Sequence, residues 1–350
     1  MKKVYVGMSG GVDSSLTAAL LKEQGYEVTG VYMKNWTQNM PGLECPWAED
    51  LADAKRVAVS LDIDFKVFDF EDEYRHKVVQ YMIDEYTLGR TPNPDIMCNQ
   101  EVKFKLFLEA AKEDGADLIA TGHYAKVEHK NNTGYLKRAI DKSKDQTYFL
   151  YRITGEALKD TLFPIGEFEK NEVRKMAEER GLFTAAKKDS QGICFVGQIG
   201  IRDFLSQFVK TTSGNIIDKK SGKILGQHDG AIFYTLGQRH GLDVGGGMPY
   251  FVVGKNMDLN EVYVTTNLND ENLWLEEIDL INASWINNPP VNGQKYLVRI
   301  RHQAPLVEAT YFVDEKREFM KLSEKQRAVT GGQSLVVYEN EYCLGGGIVL

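Results

Sequence analysis

Three groups of residues have the types and spacing to do chemistry. The first is "GMSGGVDSS", residues 7–15. Here Gly7, Met8, Ser9, Gly10, Gly11, Val12, Asp13 and Ser14 lie between an apolar run and a helical pattern. Paired glycines let the backbone turn tightly and aim its amides at an anion. The serines then open a helix whose N–H groups and dipole favour phosphate. Asp13 is out of place in an anion site unless it meets a cation, which points to Mg2+ accompanying a nucleotide. With neither G-K-[ST] nor G-x-G-x-x-G, the stretch is not the phosphate loop of kinases and GTPases, nor the dinucleotide fingerprint. A plain glycine turn is the competing reading, and the strand–loop–helix context favours a nucleotide.

The second group is "GRTPNPDIMCN", residues 89–99, which carries Asp95 and Cys98 ahead of the amphipathic pattern "QEVKFKLFLEAAKED". A thiol at a helix start has a lowered pKa and more thiolate. Asp95 has the chemistry to move a proton to or from a bound base or thiol. The third is Cys194 in "KKDSQGICFVGQIG". Lys187 and Lys188 upstream and the flanking glycines give an electropositive, flexible setting, suited to a thiol that accepts sulfur and swings into a site. A single cysteine is more often packing than chemistry, and the residues alone leave both readings open for Cys98 and Cys194. Cys45 and Cys343 are expected to be structural. With no C-x-x-C, neither zinc nor an iron–sulfur cluster is expected, and a cytosolic chain is not expected to hold permanent disulfides.

The elements that must position these groups alternate. "KKVYVGM", "YEVTGVYMK", "IDFKVFDF" and "GADLIATGHYAKV" read as strands. "SSLTAALLKEQG", "AEDLADAKRVAVSLD", "EDEYRHKVVQYMIDEYTLG" and "EKNEVRKMAEERGL" read as helices. Strands separated by helices indicate a parallel sheet with covered faces, with ligands beyond the carboxyl ends of the strands. Met33, ending the second strand, is placed to pack on adenine, and Gly122, ending a later one, to let the backbone approach the nucleotide. After about residue 205 glycine-rich turns separate short strands, and from about 275 strands recur at the spacing of a small β-barrel. The expected division is a catalytic domain at 1–205, a small central domain at 206–275 and a β-barrel at 276–350. In "VRIRHQ", period-2 alternation puts Arg299 and Arg301 on one strand face, within reach of phosphate.

The 350 residues, 43% hydrophobic and 26% charged, suit a globular protein with sizeable cores. A net charge of −8 argues against a generally basic nucleic-acid coat, although not against a local basic groove. No apolar run reaches the roughly 18 residues of a membrane span, and the N-terminus passes almost at once into a strand. No membrane partner and a cytoplasmic location are therefore expected.

The glycine loop resembles the PP-loop of ATP pyrophosphatases, which cleave ATP between the α and β phosphates and adenylate a substrate. The whole series "GMSGGVDSS", "GRTPNPDIMCNQEVKF", "GADLIATGHYA", "KDQTYFLYRI", "KKDSQGICFVG", "TLGQRHGL" and "RIRHQ" is similar in order to tRNA-specific 2-thiouridylases, over nearly the entire chain. That resemblance implies an α/β fold: a parallel-sheet, Rossmann-like domain of the adenine nucleotide alpha hydrolase type, then the small central domain and the C-terminal β-barrel. It implies ATP as co-substrate with Mg2+, and adenylation of the C2 oxygen of the wobble uridine, position 34. Cys194 would hold a persulfide delivered by a cysteine desulfurase or a sulfur-relay protein. Cys98 would be the partner nucleophile, leaving a transient Cys98–Cys194 disulfide that a thiol reductant must open. Asn93, Pro94 and Asp95 would meet the flipped base, with Asp95 as acid/base. His123, Lys144, Asp145, Gln146, Arg301, His302 and Gln333 would contact the tRNA, whose anticodon arm the last two domains would clamp. Rival readings are another PP-loop synthetase, which needs no cysteine pair, and a non-enzymatic nucleotide-sensing or tRNA-binding module.

Overall fold

Short apolar runs at the start of the chain become buried parallel strands. The computed structural model describes residues 1–39, 45–188, 200–245 and 247–350. Up to residue 162 the strands are β1 (Lys3–Gly7), β2 (Glu27–Lys34), β3 (Asp64–Asp69), β4 (Leu118–Thr121), β5 (Ala125–Lys130), β6 (Thr133–Arg138) and β7 (Thr161–Leu162). A parallel sheet forms in the order β3-β2-β1-β4-β7. Alternate residues of β1 feed opposite faces. Val4 and Val6 join one hydrophobic cluster and Tyr5 the other, and all three are fully buried. The chain runs outward from β1 through β2 to β3 and then returns to β4 on the other side. This makes the β1/β4 boundary the switch point, where a doubly wound sheet opens its ligand crevice.

Two helical stretches contain widened π turns, Arg75–Val79 and Cys98–Leu106, where plain helices are expected from sequence. Such turns are uncommon and concentrate at functional sites. The reading of "GADLIATGHYAKV" as one strand is also corrected. The chain breaks at Gly122, where a Cβ would lie 2.7 Å from the Ser14 amide nitrogen. β5 then leaves the parallel sheet and pairs with β6 as a hairpin.

That hairpin belongs to another sheet. The later strands are β8 (Gly214–Asp218), β9 (Ile224–His228), β10 (Phe251–Asn256), β11 (Glu261–Thr265), β12 (Trp274–Trp285), β13 (Lys295–Arg299), β14 (Val307–Val313), β15 (Glu318–Arg327), β16 (Ser334–Glu339) and β17 (Tyr342–Val349). The first four form a sheet in the order β10-β11-β8-β9. The last six run β12-β15-β14-β13-β16-β17, and pairing of β12 with β17 closes them into an antiparallel barrel. The β5–β6 hairpin extends its wall through β6 beside β17. No helix among the described residues is long and apolar enough to cross a membrane.

The first unit is bolted to the barrel at Asp145, which is 1% exposed. Its carboxylate accepts from the Ala139 and Thr147 amides and the Thr147 hydroxyl, and lies 3.2 Å from Arg299 and 3.6 Å from Arg138. Both guanidinium groups are themselves nearly buried. Removing one member of such a cluster strands the remaining charges in a dry site. Asp145→Ala is accordingly expected to destabilise the fold by about 3–5 kcal/mol, read by denaturant unfolding.

Candidate active site

The glycine loop sits at the switch point between β1 and helix α1 (Val12–Glu23). Gly10 has φ +73, and a Cβ there would lie 2.5 Å from the Asp50 carbonyl oxygen, so conformation and space both demand glycine. Gly11 caps α1 without a side chain, which leaves first-turn N–H groups for a ligand. Ser14 and Ser15 hydroxyls donate to the Gly11 carbonyl at 3.2 and 2.7 Å and hold the turn. Met33, at the end of β2, is buried and packs over Gly7, where a Cβ would sit 2.9 Å from its methyl carbon. The close approach at Gly122 is to the backbone of Asp13 and Ser14, so this glycine seats β4 against the start of α1.

Asp13 does meet a cation, and that cation is a lysine. The Lys170 ammonium donates to both carboxylate oxygens at 2.8 Å, and the Tyr124 hydroxyl donates to one of them at 2.9 Å. Lys170, only 8% exposed, also lies over the Tyr124 ring. Sequence reading missed both partners. The one local signal was a lysine at the first position of the helix Lys170–Glu179, where the dipole disfavours a cation. Among the described residues no three His, Cys, Asp or Glu side chains gather as a metal cage.

The cysteine segment starts its helix earlier than expected. Asn93 caps the short helix Pro94–Met97, its side-chain oxygen accepting from the amides of Asp95 at 3.1 Å and Ile96 at 3.4 Å. Pro94 takes the first helical position, where its missing N–H costs nothing. Asn93 and Pro94 therefore shape the turn that presents Asp95. Cys98 begins the π segment one turn further in and is fully buried. The helix-start argument for a reactive thiol thus does not hold at Cys98, because the first turn, capped by Asn93, lies before it.

Cys194 lies outside the described residues. The chain leading to that region is tied beside the glycine loop. Lys187 pairs with Asp50 and Asp53 at 2.9 and 2.8 Å, and the Asp50 carbonyl abuts Gly10. The Lys187 charge is neutralised there, a correction to the electropositive setting expected for it. Beyond the region, Phe204 of the helix Ile201–Leu205 packs on Trp36 at 6.0 Å. Met33, Trp36, Cys98 and Phe204 belong to one hydrophobic cluster. Burial pushes up the thiols of Cys45 and Cys343, as expected for structural cysteines.

The residues expected on RNA fall into two sets. Asp145 is buried and saturated by protein donors, and Arg299 is buried on it and over the Tyr338 ring, so neither presents a face to phosphate. β13 ends at Arg299, which leaves Arg301 beyond the strand, donating to the carbonyls of Arg327 and Ala328. Lys144 and Gln146 flank Asp145, and Gln146 accepts from the Tyr124 amide at 2.8 Å. The Gln333 amide reaches the Thr91 carbonyl at 2.7 Å. His302 is half-buried against Phe149, ring centres 4.3 Å apart, and burial holds its pKa down.

His123 is 9% exposed, bonded to the Thr121 hydroxyl at 2.7 Å and packed between Phe104 and Phe163. Burial, aided by the charge of Lys103, holds its pKa well below the ordinary 6.5. In the unfolded chain the ring takes up a proton near pH 6.5, so acid favours unfolding first. Stability is expected to fall as pH drops below that value, by up to about 1.4 kcal/mol per pH unit from this group. Denaturant midpoints between pH 7 and 5 read it, and His123→Gln should flatten the slope.

Residues 2–198 match the family described as a tRNA methyl transferase HUP domain. Residues 202–266 match its PRC-barrel domain, and 275–349 an aminomethyltransferase beta-barrel domain. The chain is 45% identical to tRNA-specific 2-thiouridylase MnmA of Bacillus thuringiensis (strain Al Hakam) and to that of Bacillus anthracis, over 99% of this chain and 94% of each relative. It is 44% identical to the protein of the same name from Bacillus subtilis (strain 168), with the same coverage. With a parallel-sheet domain, a closed six-stranded barrel and identity at this level from end to end, the chain belongs to the tRNA-specific 2-thiouridylase family.

Proposed function

We propose that this protein catalyses ATP-dependent 2-thiolation of the wobble uridine, position 34, of tRNA. The observation that carries the reading is the end-to-end identity of 45% to tRNA-specific 2-thiouridylases, on a chain whose glycine loop meets the bare N-terminus of α1 at the switch point of the sheet.

ATP fits the glycine loop, with its phosphates on the bare N-terminus of α1 and adenine beside Met33. A Mg2+ ion accompanying the triphosphate would be held by the phosphate oxygens, since both Asp13 oxygens are engaged by Lys170. The uridine C2 oxygen attacks the α phosphate, releasing pyrophosphate and leaving an adenylated base. The sulfane sulfur of a Cys194 persulfide then bonds to C2 as AMP departs. Cys98 attacks the remaining sulfur–sulfur bond at Cys194, frees the thiocarbonyl and forms a Cys98–Cys194 disulfide. In the alternative order Cys98 first releases hydrosulfide, which attacks C2. Either order consumes two electrons from a thiol reductant and requires a cysteine desulfurase or a relay protein as sulfur donor. Asp95, presented by the Asn93 cap, manages the proton at the base.

The test is mass spectrometry of tRNA nucleosides after incubation with purified protein, ATP and a persulfide source. Formation of 2-thiouridine supports the reading. Methylated uridine dependent on a methyl donor instead would replace it with the chemistry named in the family description.

A further inference from the structure

The cysteine segment is held upstream by one edge of the barrel and downstream by residues 149–152, whose neighbouring tyrosines bond to that same edge. Upstream, the Thr91 amide donates to the Gly331 carbonyl at 2.8 Å, and the Gln333 side chain donates to the Thr91 carbonyl at 2.7 Å. Downstream, the Asn99 amide donates to the Phe149 carbonyl at 3.1 Å, and Arg152 donates to the Gln100 side chain. The neighbours Tyr148 and Tyr151 bond in turn to the Ser334 carbonyl and hydroxyl, at 2.9 and 3.0 Å. Asp95 and Cys98 lie between these two attachments. At Gly332, with φ +88, a Cβ would lie 2.7 Å from the Thr91 nitrogen and 2.9 Å from the Arg90 Cβ.

We propose that the barrel edge Thr330–Ser334 is a positioning frame for the cysteine segment, holding Asp95 and Cys98 in register with the nucleotide end of the sheet. The frame rests on the thiolation reading for its effect on rate, but not for its effect on the Cys98 thiol. A barrel fused after a complete nucleotide domain thereby acquires a part in the chemistry, since the loop carrying the reacting groups takes its shape from barrel backbone. The left-handed glycine is the weak point of the frame. Any side chain there must push the turn and the loop apart.

The experiment is Gly332→Ala against Gly293→Ala. Gly293 is also a left-handed barrel glycine, φ +79, with nothing within 4 Å of its would-be Cβ, so it carries the backbone strain without the clash. With Gly332→Ala, thiolation kcat is expected to fall by about 10–100-fold while ATP KM and tRNA Kd hold. In the same ligand-free protein, alkylation at Cys98, read by peptide mass mapping, should quicken by about tenfold or more as the segment loosens. Gly293→Ala should behave as wild type in both. Unchanged Cys98 reactivity with unchanged kcat would overturn the frame, as would a rate loss matched by lost tRNA affinity or by equal losses in Gly293→Ala. If wild-type protein makes no 2-thiouridine, the function reading fails, and the alkylation comparison still decides the frame.

Discussion

Cys98→Ala is expected to abolish 2-thiouridine formation while leaving ATP cleavage dependent on tRNA. Both proposed orders of sulfur transfer need a thiolate to attack sulfur at Cys194, and neither supplies a substitute if Cys98 is missing. Loss of a group that acts as nucleophile costs at least about 10³-fold in rate. The structural cost is small by comparison. Cys98 is fully buried, so removing one sulfur atom leaves a cavity worth about 1 kcal/mol, too little to unfold the chain. Adenylation precedes sulfur transfer, so pyrophosphate release should persist in the variant. Cys194→Ala should show the same split, and neither variant should form the inter-cysteine disulfide expected of wild type after a turnover without reductant. Cys45→Ala and Cys343→Ala serve as controls, because neither thiol takes part in the proposed sulfur transfer. Thiolation at the wild-type rate by Cys98→Ala or Cys194→Ala would discard the two-cysteine mechanism.

What the sequence made legible was local. Positive-φ glycine, apolar periodicity and helix-opening serines lie within a few residues of each other around Gly10, and they place the glycine loop correctly between strand and helix on the parallel sheet. The start of the cysteine helix was equally local and was misread. Asn93, Pro94 and Asp95 spell an N-cap, a proline at the first helical position and an acid in the first turn, and they put Cys98 one turn inside. What was not legible depends on distant pairing. Lys170 reaches Asp13 across 157 residues of chain, and Arg299 reaches Asp145 across 154. The resemblance put "KDQ" on the tRNA, and strand alternation put the arginines of "VRIRHQ" within reach of phosphate. Each instead contributes one member of a buried ion cluster, a role no reading of either segment alone predicts. The β5–β6 hairpin failed for the same reason, since its partner strand β17 lies near the far end of the chain.

Lys170→Met is expected to raise the KM for ATP by about 10–100-fold, the value of a charge-assisted hydrogen bond of about 1.5–3 kcal/mol. The argument is one of charge placement. Asp13 stands in the first turn of α1, beside the N–H groups offered to phosphate, and its carboxylate opposes an incoming triphosphate. Lys170 cancels that charge by donating to both oxygens from a nearly buried position. With methionine there, Asp13 repels the nucleotide. Asp13→Asn alone should leave ATP affinity largely intact, because the charge that Lys170 cancels goes with the carboxylate. The double variant Asp13→Asn with Lys170→Met then separates the roles. ATP affinity should return most of the way to wild type, since the charge needing cancellation has been removed. Affinity losses that simply add across the cycle would show that the two side chains act independently, and the charge-cancelling role of Lys170 would have to be given up. Thermal unfolding should move little in Lys170→Met and in the double variant, since Asp13 is partly exposed, whereas Asp13→Asn alone takes the counter-charge from the nearly buried Lys170 and should lower the midpoint.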